Sequence, residues 1–147
     1  MCNELLLSTD SPEDLTRWNT DLLVFSKDLP DSPFLNLLDS NHKWYIGSRE
    51  GCSCGFRHLI NQELGFGPPV DWYEEDPQDL AATIEFVKVA RHLLELGHSV
   101  DCIDYWFTSP VESCQTQDVN LSLLSDSDFR FFQDFHFRLT NSSQPSA

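Results

Sequence analysis

The sequence predicts an α+β domain in which one long helix and several short ones pack on a mostly antiparallel or mixed sheet. Three observations predict it. Only one stretch, DPQDLAATIEFVKVARHLLELG at 76–97, carries helical periodicity over several turns. Strand-like segments lie on both sides of it in the chain instead of alternating with helices. Helix starts are spelled by capping residues followed by proline. Strands grouped before and after a single major helix favour an α+β arrangement over a doubly wound parallel sheet.

Taken in order, LLLST at 5–9 is the first strand candidate. Ser11-Pro12-Glu13-Asp14 then reads as a capping serine, a proline at the first helical position and acids in the first turn, opening a short helix that ends near Trp18. DLLVFSK at 21–27 is the second strand, and Ser32-Pro33 opens another short helix over FLNLLD. HKWYIGS at 42–48 is the third strand. Asp76-Pro77 opens the major helix, which runs to Leu96 and is stopped by Gly97. Its apolar stripe is Leu80, Ile84, Val87, Ala90 and Leu94, widened by Phe86 and Leu93, and a stripe that wide belongs against a sheet.

SVDCIDYWF at 99–107 and FHFRLT at 135–140 follow as strands. The latter alternates Phe135, Phe137 and Leu139 with the polar His136, Arg138 and Thr140. VNLSLL at 119–124 reads as a further strand and Ser125–Phe132 as a capped turn. Residues 1–140 form one domain, and the polar tail 141–147 is expected to be disordered.

Composition narrows the function classes. Of 147 residues, 40% are apolar, which supports a packed core. No window reaches the ~18 apolar residues of a membrane span. The start, MCNELLLSTDSPED, lacks the basic region of a signal or transit peptide, so a soluble cytoplasmic protein is expected. Nine basic residues against twenty-four acidic ones give a net charge of -15. Such a surface repels phosphate backbones and anionic lipid, so neither nucleic acid nor membrane is an expected partner, whereas a basic protein is compatible. In that compartment the five cysteines are expected to be reduced thiols.

The most chemical-looking segment is GSREGCSCGFRHL at 47–59. In an extended chain Cys52 and Cys54 share a face about 6.6 Å apart, too far for a disulfide unless the flanking Gly51 and Gly55 bend the chain. A metal asks less, because two thiolates need only reach one centre through bonds of about 2.3 Å. His58 is placed to join them, so Cys52, Cys54 and His58 are the expected ligands of zinc or copper, with Cys2 foremost as a fourth and Cys114 or His98 as alternatives. Against this, zinc pairs usually have two to four residues between cysteines. Arg49 and Arg57 could lower a thiol pKa for redox work, while a glycine-bracketed bend holding small apolar cysteines is the purely structural reading.

Elsewhere, Cys2 could act as an N-terminal nucleophile once Met1 is removed, as the Met-Cys start of class II glutamine amidotransferases suggests by resemblance. His98 complements the helix C-terminus, and His42 and His136 are expected at the surface. The segment NQELGFGPPVDWYEED at 61–76 is a long excursion of the kind that often serves function, and Trp72 and Tyr73 are its expected partner-binding residues. No phosphate loop, G-x-S-x-G, H-E-x-x-H or C-x-x-C occurs, which argues against an enzyme of a common kind.

Met-Cys-Asn, WYIGSREGCSCGFRHL and LGFGPPVDWY together resemble a group of small bacterial proteins without an assigned function, over residues 1 to about 140. That resemblance implies a self-contained bacterial domain in which the cysteine loop recurs with the fold. The expectation is therefore metal binding at the Cys-x-Cys/His loop. The alternative is a non-catalytic interaction module presenting residues 61–76, and third comes thiol redox or N-terminal-cysteine catalysis.

Overall fold

The computed structural model describes residues 3–49, 51–59, 65–70 and 74–142. The strands are β1 (Asn3–Thr9), β2 (Leu23–Ser26), β3 (His42–Ser48), β4 (His58–Leu59), β5 (Val100–Trp106), β6 (Gln115–Asn120), β7 (Phe131–Phe132) and β8 (Phe135–Thr140), with one helix, α1 (Pro77–Glu95), between β4 and β5. Short 3₁₀ turns fill the connections. Six strands form one sheet in the order β2-β3-β1-β5-β8-β6, and β4 and β7 pair separately. The chain is thus one α+β domain with a mixed sheet. Every neighbouring pair of the main sheet is antiparallel except β6 and β8, which run parallel.

Central position explains composition. β1 lies between β3 and β5 and has a core on each face, so its apolar residues run on without alternating. Leu5 and Leu7 belong to the large core under α1, whereas Leu6 faces the opposite side with Ile103, Tyr105, Phe34 and Leu38. The smaller core is roofed by the 3₁₀ turn Pro33–Leu37, which Ser32 caps by accepting from the Phe34 N–H at 3.2 Å.

The helix begins as its sequence requires. Asp76 accepts from the Gln78 N–H at 2.8 Å, and Pro77 occupies the first turn, where no N–H is needed. It ends in a Schellman arrangement: Gly97, at φ 89°, donates to the Leu94 carbonyl, and His98 donates to that of Leu93. The buried face is centred on Ala82, Phe86, Ala90 and Leu93, with Thr83, Val87 and Val89 also inside. Leu80, Ile84 and Leu94 lie at its margins, so the expected stripe is rotated part of a turn. Phenylalanines decide this rotation. Phe86 meets Phe129 and Phe131 at ring-centroid distances of 6.1 and 5.0 Å, within a cluster that also takes in Phe66, Phe132, Phe135 and Phe137.

Other expectations change in detail. The turn after β1 starts at Asp14, not Ser11, and covers only Leu15–Trp18. Asp14 accepts from both the N–H and the hydroxyl of Thr16, whereas the Ser11 hydroxyl serves the Glu13 N–H in a local turn. The strand expected at 119–124 is displaced to Gln115–Asn120, because Asn120 caps a 3₁₀ turn at Leu121–Leu123. The turn from Ser125 closes through Asp128 N–H to Ser125 O at 3.0 Å, but Phe131 and Phe132 leave it to make β7 beside β4. Asn141 and Ser142, expected in a disordered tail, are docked: Arg91 donates to the Asn141 side chain, and Asn120 to the Ser142 carbonyl. The rest of that tail lies outside the described residues. No described helix is long and apolar enough to cross a membrane.

Phe129 is fully buried and touches the rings of Phe66, Phe86, Phe131 and Phe137. Phe129→Ala should therefore cost about 3–5 kcal/mol, read as a lower urea midpoint at unchanged slope.

Candidate functional site

The cysteine loop leaves β3 and is tied back to it at once. Gly51 turns the chain at φ 82°, letting Ser48 N–H reach the Cys52 carbonyl at 2.7 Å. The Ser48 hydroxyl donates to that same carbonyl and accepts from the Gly55 N–H at 3.0 Å. A Cβ on Gly55 would stand 2.5 Å from that hydroxyl, which is why glycine is needed here. Ser53 is fully buried between the thiols. The regular ladder of β1 with β3 stops at Leu6 and Tyr45, and there the Ser53 hydroxyl steps between the strands. It donates to the Ile46 carbonyl at 2.6 Å and accepts from the Leu5 N–H at 2.9 Å.

His58 closes the loop from the other side. Its Nε2 lies 2.6 Å from the Ser53 carbonyl and its Nδ1 2.6 Å from Asp104 Oδ2. A carbonyl and a carboxylate both accept, so both ring nitrogens carry protons and the ring is an imidazolium. Asn3 donates to Asp104 Oδ1 at 3.1 Å; its 3.3 Å approach to His58 Nδ1 joins two donors and is a consequence of crowding. Burial, the largest single influence, opposes the charge on His58. The Asp104 charge and hydrogen bond, with the Ser53 carbonyl, outweigh it and raise the pKa.

The expected metal ligands fare unequally. Cys52 and Cys54 are half-buried thiols on the same pinned loop. His58 spends both nitrogens on protein acceptors and has no lone pair to offer in this state. Cys52, Cys54 and His58 do not bring their ligand atoms within 4.8 Å of one another. Cys2 lies outside the described residues, as do Trp72 and Tyr73, although Asn3 places the residue after Cys2 against the His58–Asp104 pair. The remaining two thiols serve packing: burial pushes Cys102 well up, and Cys114 up to about 11.

Among the described residues, one group gathers three ligand-type atoms, Asp39, Asp101 and His136. Its oxygens already have donors. Asp101 accepts from the Ser8 hydroxyl, from the Asp39 N–H at 2.9 Å and from His136 Nε2 at 2.6 Å. Asp39 is gripped by Arg138 Nε at 2.8 Å and Nη2 at 3.1 Å. Both carboxylates are thus satisfied by the protein's own donors. His136, expected at the surface, is 3% exposed because the 38–40 segment folds over it onto Asp101.

A third network fixes the part of the 61–76 excursion that is described. Arg57 grips Glu75 with Nε at 2.6 Å and Nη2 at 3.0 Å, and its remaining donors take the carbonyls of Gly67, Ser127 and Phe129. Arg130 holds the carbonyls of Gly65 and Pro68. Hydrogen bonding from Arg57 keeps the Glu75 carboxyl below its usual pKa in spite of burial. The cleft between this network and the cysteine loop, lined by Phe56, His58 and the acids Glu74, Glu75, Asp76 and Asp79, encloses about 80 Å³. At ~30 Å³ per water it accommodates only two or three.

Sequence reasoning missed Asp104, Asp101 and Arg57 as organising residues. The available signal was two aspartates inside the apolar strand SVDCIDYWF. In comparisons with protein-family models, curated proteins and solved structures, nothing matches the chain.

The raised pKa of His58 has a definite pH consequence. Its contribution to stability is complete below the unfolded-state value of ~6.5 and is lost as pH rises through the folded-state value. Urea midpoints should therefore fall across that window, and His58→Gln should flatten this part of the profile. His58→Ala should cost about 3–5 kcal/mol at pH 6, because Asp104 is left buried without its counter-charge.

Proposed function

We propose that the protein is a non-catalytic interaction domain whose acidic surface holds a basic protein partner. The observation carrying this reading is the fate of its arginines. All six are drawn into pairs with the protein's own carboxylates: Arg17 with Glu13, Arg49 with Asp76 and Asp79, Arg57 and Arg130 with Glu75, Arg91 with Asp126, and Arg138 with Asp39. Lys27 lies over the Trp44 ring at 4.1 Å, and Lys43 donates to the Leu35 carbonyl. The arginines are thus matched by the protein's own carboxylates while a net charge of -15 remains, so the outward field is negative. Such a field speeds encounter with a cationic partner and rejects nucleic acid.

The buried histidines support the non-catalytic part. His58 and His136 both direct Nε2 at an acceptor of the fold itself, so neither offers that nitrogen as a base to a substrate. Immobilised protein should retain oligoarginine and basic proteins at about 0.1 M ionic strength and release them toward about 1 M, where the screening length falls to roughly 3 Å. Retention that ignores salt, or no retention of basic polymers, would overturn this reading.

A second reading follows from one feature of the loop. Cys52 and Cys54 are half-buried thiols flanking the anchored Ser53, and soft thiolate pairs suit Cu(I) or zinc. In this reading His58 positions the loop without ligating. Protein purified reduced and without chelator should then hold near-stoichiometric metal by elemental analysis, with Cys52→Ser losing it and His58→Gln retaining it. Metal-free protein with freely titrating thiols would dismiss the site.

A further inference from the structure

We infer that the open depression formed by Tyr45, Leu29, Pro30, Glu4 and Asp28 is the seat for an arginine side chain of the basic partner. The inference rests on the interaction reading above and gives it an address. The pocket encloses about 290 Å³, near the lower end of the range for ligand sites and on the scale of one long side chain. Strand order creates it. β3 lies between β2 and β1, and Tyr45 on β3 pairs with Ser26 on one side and Leu6 on the other. Asp28, Leu29 and Pro30 follow the end of β2, and Glu4 is the second residue of β1, so the depression has a carboxylate on each flank of Tyr45.

The roof over this sheet face stops short of the depression. The turn Pro33–Leu37 covers Ile103 and Tyr105, with Phe34 stacked on the Tyr105 ring at 3.9 Å. Tyr105 donates its hydroxyl to Glu4 Oε2, and both burial and this hydrogen bond raise the phenol's pKa, so the proton stays on the tyrosine. Glu4 is thereby held at the rim with Oε1 still able to accept. The neighbouring lysines point elsewhere: Lys27 covers Trp44, and Lys43 reaches the Leu35 carbonyl. Two carboxylates thus border a tyrosine-based, partly apolar wall with no basic residue in the lining.

A guanidinium fits this chemistry better than an ammonium. Its plane can lie on the tyrosine face while its edge donates to two carboxylates, and its stem can cover Leu29 and Pro30. Lysine offers a compact, strongly hydrated charge that gains little from the flat wall.

The test uses the full chain with oligoarginine and oligolysine peptides of equal charge. Affinity is measured by titration calorimetry, and the contact is located by amide shifts at Asp28, Leu29 and Tyr45. Asp28→Asn and Glu4→Gln should each weaken oligoarginine about tenfold. Glu112→Gln and Asp118→Asn, which remove the same charge at and just before β6 on the opposite edge of the sheet, should change affinity only slightly. Asp28 is exposed, so its variant keeps the test valid should Glu4→Gln perturb Tyr105. Equal weakening by all four substitutions, or equal affinity for oligolysine, would remove the seat while leaving the acidic-surface reading standing. No binding of either peptide to the unaltered protein would overturn both.

Discussion

Two carboxylates in the middle of a covered sheet set the terms for much of this structure. Asp101 and Asp104 lie three residues apart on β5, a strand paired on both sides, and each is 2% exposed. An odd separation on a strand sends the two side chains to opposite faces. Neither is solvated there, and an isolated buried carboxylate is too unfavourable to persist, so each face has to bring up its own hydrogen-bond donor. On one face it is His136 from β8; on the other it is His58 from beyond the cysteine loop. Segments that pack on the sheet are then fixed relative to β5. The 38–40 segment is held by Asp101, and the 51–58 loop is held through His58 by Asp104.

Seen this way, the glycine-bracketed cysteines take their place from their neighbours. Ser53 fills the gap where β1 and β3 part, and the imidazolium holds the Ser53 carbonyl. Bonds to Ser48 close the turn. The Cys52 carbonyl takes part in this scaffold, which presents the two side chains. The loop is therefore shaped whether or not the thiols bind anything, and the geometry of the loop alone does not argue for a ligand.

Much of the architecture was legible in local chemistry, and the reasons are specific. Asp76-Pro77 and Gly97 mark both ends of α1 because capping and positive φ are properties of a few adjacent residues. Period-two alternation found β8 for the same reason. What escaped was whatever depends on distant partners. Phe131 and Phe132 form a strand only because His58 and Leu59 lie beside them, and the β6–β8 pairing is parallel only because of the path between them. His136 looked like the polar member of an alternating strand, which it is, but the face it occupies is roofed. At the cysteine loop the thiols and the imidazole are neighbours in sequence, but the partner claiming the imidazole, Asp104, is forty-six residues away.

The same logic links core and surface. A chain with nine basic residues has few cations to distribute, and burial determines where they are most needed. Arg57 and Arg130 are consumed in the interior because Glu75 and five backbone carbonyls of the connecting segments require donors there. Arg138 is drawn to Asp39 as that residue closes over His136. Each pairing sets one of the protein's own cations against one of its own carboxylates or carbonyls, and the surplus of twenty-four acids over nine bases stays. The strongly negative exterior follows from that surplus, which no internal pairing alters. A partner bearing arginines would supply from outside the cations that this fold uses up within.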